Sequence, residues 1–240
     1  MIRLVLLPGM HGTGELFSEF MNRVPEPKHI QGLSYPNDVS LSYGQLLGLV
    51  QASVPTSDAY YLLAESFSTP LAVQFAATKP PNLRGLILCA GFASSPVRGW
   101  RRPLMMLLAP LLFNLSVPKI GARLLVGSNA SPTLLGSVRV AISAVQPKVL
   151  VARLKAVLAC DATSELGQIE VPILYLLAKH DQIVPASCLE EIRLTKPTVT
   201  VAAIDGPHLL LQREPKQAAA AVTEFISKLD FPSFPLKTDN

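Results

Sequence analysis

The feature that most constrains the fold is a regular alternation of short β-type runs with longer helix-type segments. Such alternation is typical of a parallel sheet with helices on both faces, because a crossover helix usually connects parallel strands. We predict six strands, at Ile2–Leu7, His29–Tyr35, Ala59–Ala64, Leu83–Ala90, Val171–Ala178 and Val199–Ile204. Apolar residues spaced three and four apart predict helices at Leu41–Val54, Thr69–Thr78, Pro185–Arg193 and Glu214–Leu229.

One connection is far longer than the others and runs from Phe92 to Ile169. It contains six prolines and many helix-forming residues, and it is too long for a structureless loop in a compact domain. We therefore predict a helical insertion at residues 92–169 in an α/β core made of residues 1–91 and 170–230. Residues 231–240 are expected to form a loose C-terminal tail.

A strand followed at once by a serine and a helix marks a candidate nucleophile. The run from Leu62 to Pro70 reads LLAESFSTP, with Ser66 at the turn. A serine held in a sharp strand-to-helix turn, called a nucleophile elbow, needs small residues two positions before and after it, and the usual pattern is G-x-S-x-G. Here Ala64 and Ser68 occupy those positions. The alternative interpretation is a serine that only caps the helix.

An acid and a histidine follow the last two predicted strands. Asp181 comes just after the strand that ends at Ala178, and His208 lies in the loop after the strand that ends at Ile204. Because the carboxyl ends of parallel strands share one edge of the sheet, both can reach the serine. We predict that His208 takes the proton of Ser66 and that Asp181 orients the histidine.

Two neighbours of these residues are weaker candidates. His180 would point to the other side of its loop if Asp181 points inward, and Asp205 ends its strand three residues before His208. We interpret His180 and Asp205 as structural or solvated.

The loop after the first strand is rich in glycine and reads PGMHGTG from Pro8 to Gly14. We predict that the backbone N–H groups of Met10 and Phe67 stabilise an oxyanion there, and a shifted register would use Thr13 in place of Met10. Phosphate or dinucleotide binding is the alternative for a glycine loop, but neither G-x-G-x-x-G nor a G-K-[ST] ending is present. We therefore expect no cofactor.

Cysteines and apolar runs bear on the cellular context. Cys89, Cys160 and Cys188 are an odd number and show no metal-ligand spacing, so we expect no metal site and a reducing, cytoplasmic compartment. The N-terminal apolar run is too short for a signal peptide. The longest apolar stretch, Pro103 to Val117, falls short of the roughly 20 residues that span a bilayer, so no transmembrane segment is expected.

With these residues in place, the sequence resembles the α/β-hydrolase superfamily over nearly its whole length. It is most similar to short bacterial serine esterases, which include the pimeloyl-acyl-carrier-protein methyl ester esterases of biotin synthesis. The resemblance implies an α/β-hydrolase fold with a six-stranded, mainly parallel sheet and a lid formed by the insertion. It also implies site residues at Ser66, Asp181, His208, Met10 and Phe67. The chain departs from the family at the elbow, which lacks both glycines, and at Pro8, where many relatives have histidine.

The predicted function is that of a serine carboxylesterase that forms an acyl-enzyme under an apolar lid. The substrate implied by the resemblance is a methyl ester of an acyl chain on acyl carrier protein. Thioesterases, acyltransferases and lactonases use the same triad and stay open as alternatives, as does a non-catalytic ligand-binding receptor of the same fold. Dehalogenases and epoxide hydrolases are disfavoured because they use an aspartate where this chain has Ser66.

Charge is unevenly distributed along the chain. The segment from Ser66 to Cys160 has no Asp or Glu and eleven Lys and Arg, whereas the rest has ten basic and seventeen acidic residues. We predict an acidic partner at the insertion, an acyl carrier protein, with an anionic membrane surface as the alternative. The alternative without any partner is a basic face that meets only solvent. Nucleic acid is not expected because few aromatic residues are available to stack on bases. The side chains expected to meet the partner are Arg98, Arg101, Arg102, Arg153 and Lys155.

Overall fold

A six-stranded, fully parallel sheet forms the centre of the protein. The computed structural model describes residues 2–26, 28–114 and 117–230, and the side chains of residues 112–120 are outside this description. The strands are β1 Ile2–Leu7, β2 Lys28–Gly32, β3 Tyr60–Glu65, β4 Leu83–Cys89, β5 Ile173–Ala178 and β6 Thr200–Ile204. Their order across the sheet is β2-β1-β3-β4-β5-β6, and all neighbours pair in parallel. The predicted fold class is confirmed.

Helices cover both faces of the sheet. They are α1 Ser18–Arg23, α2 Tyr43–Ser53, α3 Thr69–Ala77, α4 Arg101–Asn114, α5 Val117–Val126, α6 Pro132–Ser143, α7 Pro147–Ala159, α8 Thr163–Gln168, α9 Ser187–Thr195, α10 Leu210–Arg213 and α11 Pro215–Asp230. The four helices predicted outside the insertion are present with ends shifted by a few residues. The short α1 was not predicted. The predicted tail at residues 231–240 lies outside the described residues.

The central strand β3 explains why both faces need a cover. All six of its residues are buried, and successive side chains point to opposite faces of the sheet. Leu62 belongs to the apolar cluster formed with α2 and α3, whereas Leu63 belongs to the cluster formed with α1 and α11. A strand buried on both sides reads as a continuous apolar run, which is the pattern of this segment.

Local capping signals fix the starts of several helices. The Ser42 side chain accepts a hydrogen bond from the Gln45 N–H, and the Gln45 side chain accepts one from the Ser42 N–H, so that a capping box starts α2. Pro132 and Pro147 occupy the first positions of α6 and α7, where a missing N–H costs no helical hydrogen bond.

The second strand is shorter than predicted because the chain leaves the sheet after Gly32. The Leu33 N–H still bonds to the Leu6 carbonyl, but the Tyr35 N–H bonds to the Gly12 carbonyl at 2.7 Å. A methyl group on Gly14 would lie 2.8 Å from the Gly32 carbonyl carbon, so these backbones approach too closely for a side chain. The segment predicted as the end of β2 therefore supports the loop after β1.

The predicted insertion leaves and re-enters the core at one place. Ser94 and Asp161 form an antiparallel bridge, the Ser95 N–H bonds to the Cys160 carbonyl, and the Ala162 N–H bonds to the Ala93 carbonyl. Helices α4 to α7 lie between these points, and we call residues 96–159 the insertion. Helix α8, inside the predicted range 92–169, packs on α3 and α9 of the core instead.

Among the described residues, no single helix is long and apolar enough to cross a bilayer. Helices α6 and α7 reach the required length and apolar character only when counted together, and a bend of 94° separates them.

Candidate active site

Ser66 stands in a strained turn between β3 and α3. Its φ of 49° lies in the left-handed region, although it is not glycine. An L-residue held there costs roughly 1–2 kcal/mol, and such strain persists only where the surroundings enforce it. The residues after it form a 3₁₀ turn that leads directly into α3. This is the elbow geometry that the sequence predicts.

Ser68, which replaces the usual glycine of the elbow, has its own polar partners. Its hydroxyl donates to the Pro8 carbonyl in the loop after β1. The same oxygen lies 2.7 Å from the Tyr35 hydroxyl, and burial raises the pKa of Tyr35 well above its usual value, so this phenol stays neutral. Ser68 therefore ties the elbow to the loop after β1.

Ser66, His208 and Asp181 form one hydrogen-bonded chain. Oγ of Ser66 lies 2.8 Å from Nε2 of His208, and Nδ1 of His208 lies 2.8 Å from Oδ2 of Asp181. An ionised carboxylate only accepts hydrogen bonds, so Nδ1 carries the proton and Nε2 accepts from the serine hydroxyl. That tautomer is the one that a general base acting on serine requires.

The carboxylate of Asp181 is held from both sides. Oδ1 accepts the backbone N–H groups of Ile183 and Val184 at 2.8 and 2.9 Å, which leaves Oδ2 for the histidine. The side chains of His208 and Asp181 are only 2% and 7% exposed. Burial and these hydrogen bonds fix the orientation of the imidazole.

The two neighbouring candidates pair with each other instead. Nε2 of His180 lies 2.6 Å from Oδ1 of Asp205, and both side chains are about 70% exposed. They lie outside the Ser66 chain, in agreement with their interpretation as solvated groups.

The loop after β1, residues 8–14, closes on itself through a tight turn. The Gly12 N–H bonds to the Gly9 carbonyl at 3.0 Å, and Gly12 has a φ of 73°. A side chain at Gly12 would also collide with the guanidinium of Arg153. Glycine is therefore required here both by backbone conformation and by close approach. We call residues 8–14 the β1 loop.

The hydrogen bonds of the β1 loop distinguish the two predicted oxyanion registers. The Thr13 N–H already donates to Nδ1 of His11 at 3.3 Å. In the part of the chain that the structure describes, the Met10 N–H has no acceptor. Phe67 begins the turn into α3, where the first N–H groups of a helix lack partners within it. This arrangement favours Met10 over Thr13.

The architecture matches solved structures at low sequence identity. An esterase from Exiguobacterium antarcticum is 15% identical, with a TM-score of 0.82 over 95% of this chain and 92% of that one. An enol-lactonase from Burkholderia xenovorans is 14% identical, with a TM-score of 0.81 over 94% and 91%. A bromoperoxidase from Bacillus anthracis is 14% identical, with a TM-score of 0.82 over 94% and 92%. The chain has the α/β-hydrolase fold. No known protein family and no curated protein matches it by sequence.

In this α/β-hydrolase fold, a buried polar network next to the elbow was not foreseen from the sequence. Glu65 precedes Ser66 and is fully buried, and its Oε2 lies 3.4 Å from Nε2 of His11 and 3.3 Å from Nε2 of Gln212. Since Nδ1 of His11 accepts the Thr13 N–H, the neutral ring carries its proton on Nε2 and donates it to Glu65. The network therefore joins the elbow, the β1 loop and helix α10, which follows the His208 loop.

Arg153 corrects one prediction about the insertion. It was expected on the surface with the other partner-binding side chains, but it is only 3% exposed. Its guanidinium donates to the carbonyls of Met10 and Pro36 at 2.7 and 2.8 Å, and lies about 6 Å from the Tyr35 and Phe67 ring centres. Burial lowers its pKa. Arg153 holds the β1 loop and offers nothing to a partner.

The other four predicted contact residues differ in how free their charges are. Arg98 is exposed and pairs with Glu191 at 3.0 Å. Arg102 is half-buried, whereas Arg101 and Lys155 are exposed. The pKa of Asp161 is lowered, first by hydrogen bonds from Thr163 and then by nearby Arg102. Two of the four charges therefore already have acidic neighbours within the chain.

A cleft of about 1100 Å³ lies next to the β1 loop, and Ser66, Asp181 and His208 are not among the residues that line it. It is bounded by the β1 loop, by the segment around Tyr35 and by α6, and Gln212 lines it as well. The Met10 side chain lies on the insertion side of the β1 loop, where it contacts apolar clusters that include Leu154 and Val149 of α7. No group of three or more metal-ligating side chains is found among the described residues.

Proposed function

We propose that this protein is a serine hydrolase that cleaves carboxylic esters through an acyl-enzyme. The observation that carries the proposal is the hydrogen-bonded chain from Ser66 through His208 to Asp181, with 2.8 Å at each step and the serine in a strained elbow. The solved structures of similar fold include an esterase and an enol-lactonase.

In the first half of the reaction, Oγ of Ser66 attacks the ester carbonyl carbon and its proton passes to Nε2 of His208. The resulting imidazolium is stabilised by Asp181. The carbonyl oxygen becomes an oxyanion, which accepts hydrogen bonds from the N–H groups of Met10 and Phe67. The carbon–oxygen bond to the alcohol then breaks, and the alcohol leaves with the proton from His208.

In the second half, water takes the place of the alcohol. His208 removes a proton from the water as it attacks the acyl carbon, and the tetrahedral intermediate collapses to release the acid. The proton returns to Oγ of Ser66. The cycle uses one water per ester and returns Ser66 and His208 to their starting protonation.

The apolar surroundings of the site support an apolar acyl group. Met10 connects the β1 loop with the packed side chains of α4 and α7. Lactone hydrolysis is the second candidate, favoured by the similarity to an enol-lactonase structure. It requires the same steps with the leaving alcohol still attached to the acyl chain.

A methyl ester carried on acyl carrier protein stays a proposal that rests on the resemblance. With Arg153 buried, Arg98 paired with Glu191 and Arg102 half-buried near Asp161, the exposed side chains left for an acidic carrier are Arg101 and Lys155.

The proposal is tested by hydrolysis of a short-chain aryl ester. Ser66→Ala and His208→Ala should each lower kcat by about a thousandfold or more, because nucleophile and base act as one unit. Asp181→Asn should leave a measurable rate. His180→Ala is the matched control and should keep the wild-type rate, since its imidazole pairs with Asp205 at the surface. A His208→Ala rate above about a tenth of wild type would overturn the assignment, and no turnover by folded wild-type protein would favour a receptor.

A further inference from the structure

A stripe of exposed apolar side chains begins at Trp100, in the turn just before helix α4, and continues along the outer face of α4. Trp100, Leu104, Leu107, Leu108 and Leu111 are all exposed, and Trp100 and Leu107 are 72% and 76% exposed. They recur every three or four residues, so they share one side of the helix. We call these five residues the α4 stripe.

The opposite face of α4 already has its packing partners. Met105, Met106 and Ala109 pack against Leu154 and Leu158 of α7. The stripe therefore faces away from the protein, whereas the opposite face of α4 is buried. A continuous apolar patch on a soluble surface is uncommon and marks a site where something binds.

The charged residues of α4 and α5 are all basic. Arg101 is exposed, and its guanidinium lies 5.9 Å from the centre of the Trp100 ring. Arg123 of α5 is also exposed, and no acidic residue occurs anywhere from Ser66 to Cys160. A helix with tryptophan and leucine on one side and arginine at its edge is the pattern of a helix that lies in the interface of a membrane.

We propose that the α4 stripe docks on an anionic phospholipid bilayer. Leu107 and Leu111 enter the boundary between headgroups and acyl chains, and Trp100 and Arg101 lie at the level of the phosphates. An acidic protein is the weaker fit, because Arg153 is buried and Arg98 is already paired with Glu191. What remains is a largely apolar surface with few free charges. Such a surface suits lipid better than it suits an acidic helix of a partner protein.

The inner face of helix α4 belongs to an apolar cluster that the β1 loop also contacts. Met10, the proposed oxyanion donor, contacts the same apolar cluster as Met105 and Leu154. If α4 lies on a bilayer, esters that are dissolved in the bilayer come next to this cluster. The position of α4 points to lipid-soluble esters as the substrate class, an inference that rests on the proposed hydrolase function.

The experiment uses the single tryptophan of the chain as its reporter, since Trp100 belongs to the stripe. Full-length protein carrying Ser66→Ala is mixed with vesicles of phosphatidylcholine containing about 30% phosphatidylglycerol, and with pure phosphatidylcholine vesicles. We expect the anionic vesicles to shift tryptophan emission to the blue and to sediment together with the protein. Raising salt from about 0.05 to 0.5 M should weaken the vesicle affinity about tenfold. Because the serine is absent, binding is measured independently of hydrolysis.

Exposed leucines supply the variants. Leu107→Ser with Leu111→Ser should reduce vesicle affinity at least about tenfold, because two buried side chains are lost from the lipid. Leu194→Ser is the matched control: Leu194 is 85% exposed on α9, outside the stripe, and vesicle affinity should not change. Both variants alter exposed positions, and circular dichroism checks that they fold. With Ser66 restored, the stripe variant should hydrolyse a water-soluble ester at the wild-type rate and a vesicle-dissolved ester more slowly.

Three results would overturn the proposal. The first is equal vesicle affinity of the stripe variant and the Leu194→Ser control. The second is a blue shift with soluble acyl carrier protein and none with vesicles, which assigns the surface to an acidic protein. The third is a blue shift that follows protein concentration without vesicles, which assigns it to a second copy of this chain.

Discussion

Nη1 of Arg153 donates a hydrogen bond to the carbonyl oxygen of Met10 at 2.7 Å. This bond connects helix α7 of the insertion to the residue whose N–H is proposed to stabilise the oxyanion. The insertion therefore sets the position of the β1 loop as well as covering it.

Replacing this arginine should disturb both stability and catalysis. Arg153→Met keeps much of the side-chain volume but leaves the part-buried carbonyls of Met10 and Pro36 without this donor, at up to about 1–3 kcal/mol each. We expect a lower free energy of unfolding in urea and a lower kcat with a smaller change in KM. Lys155→Met, two residues along the same helix and exposed, should match wild type within about 0.5 kcal/mol. An Arg153→Met protein with wild-type stability and kcat would contradict this role.

Ser68 should be more than a substitute for the elbow glycine. Ser68→Ala removes the donor to the Pro8 carbonyl and the partner of Tyr35, both buried. The expected loss is about 1–3 kcal/mol in the free energy of unfolding. Ser57→Ala removes an exposed hydroxyl whose partner is its neighbour Asp58 and should be nearly neutral. If the two variants unfold at the same urea concentration, the hydrogen bonds of Ser68 contribute nothing.

The network behind the nucleophile predicts an effect of His11. His11→Ala takes one of two donors from the buried Glu65 carboxyl group and the acceptor from the Thr13 N–H. We expect a destabilisation of about 2 kcal/mol in urea unfolding. His29→Ala changes an exposed histidine on β2 and serves as the control. Equal free energies of unfolding for His11→Ala and His29→Ala would show that the network does not stabilise the fold.

The three cysteines should be inert in the native protein. Burial raises the pKa of Cys160 to about 12 and that of Cys188 to about 11, and raises that of Cys89 as well. A raised pKa leaves each thiol protonated at about pH 8, and the thiolate is the reactive form. A colorimetric disulfide reagent should therefore label none of them in native protein and all three in guanidinium. Fast reaction of a native cysteine would contradict the described burial.

The sequence predicts the sheet well because parallel strands buried on both faces must read as apolar runs. Ser66, Asp181 and His208 are predictable for a related reason: each follows a strand at the same edge of the sheet. Glu65 and Arg153 are not predictable in this way. Their burial depends on partners far along the chain, such as Gln212 for Glu65 and Met10 for Arg153. The six-residue α1 is too short for a periodic pattern to indicate it.

The most direct test of the account is labelling with a fluorophosphonate, followed by mass spectrometric mapping of the modified residue. An activated serine attacks phosphorus, fluoride leaves and the serine keeps the phosphonyl group, whereas an ordinary serine does not react. We predict one adduct on Ser66 of the wild-type protein, about a thousandfold slower labelling of His208→Ala, and no effect of His180→Ala. An adduct on another serine, or folded wild-type protein that stays unlabelled, would contradict Ser66 as an activated nucleophile.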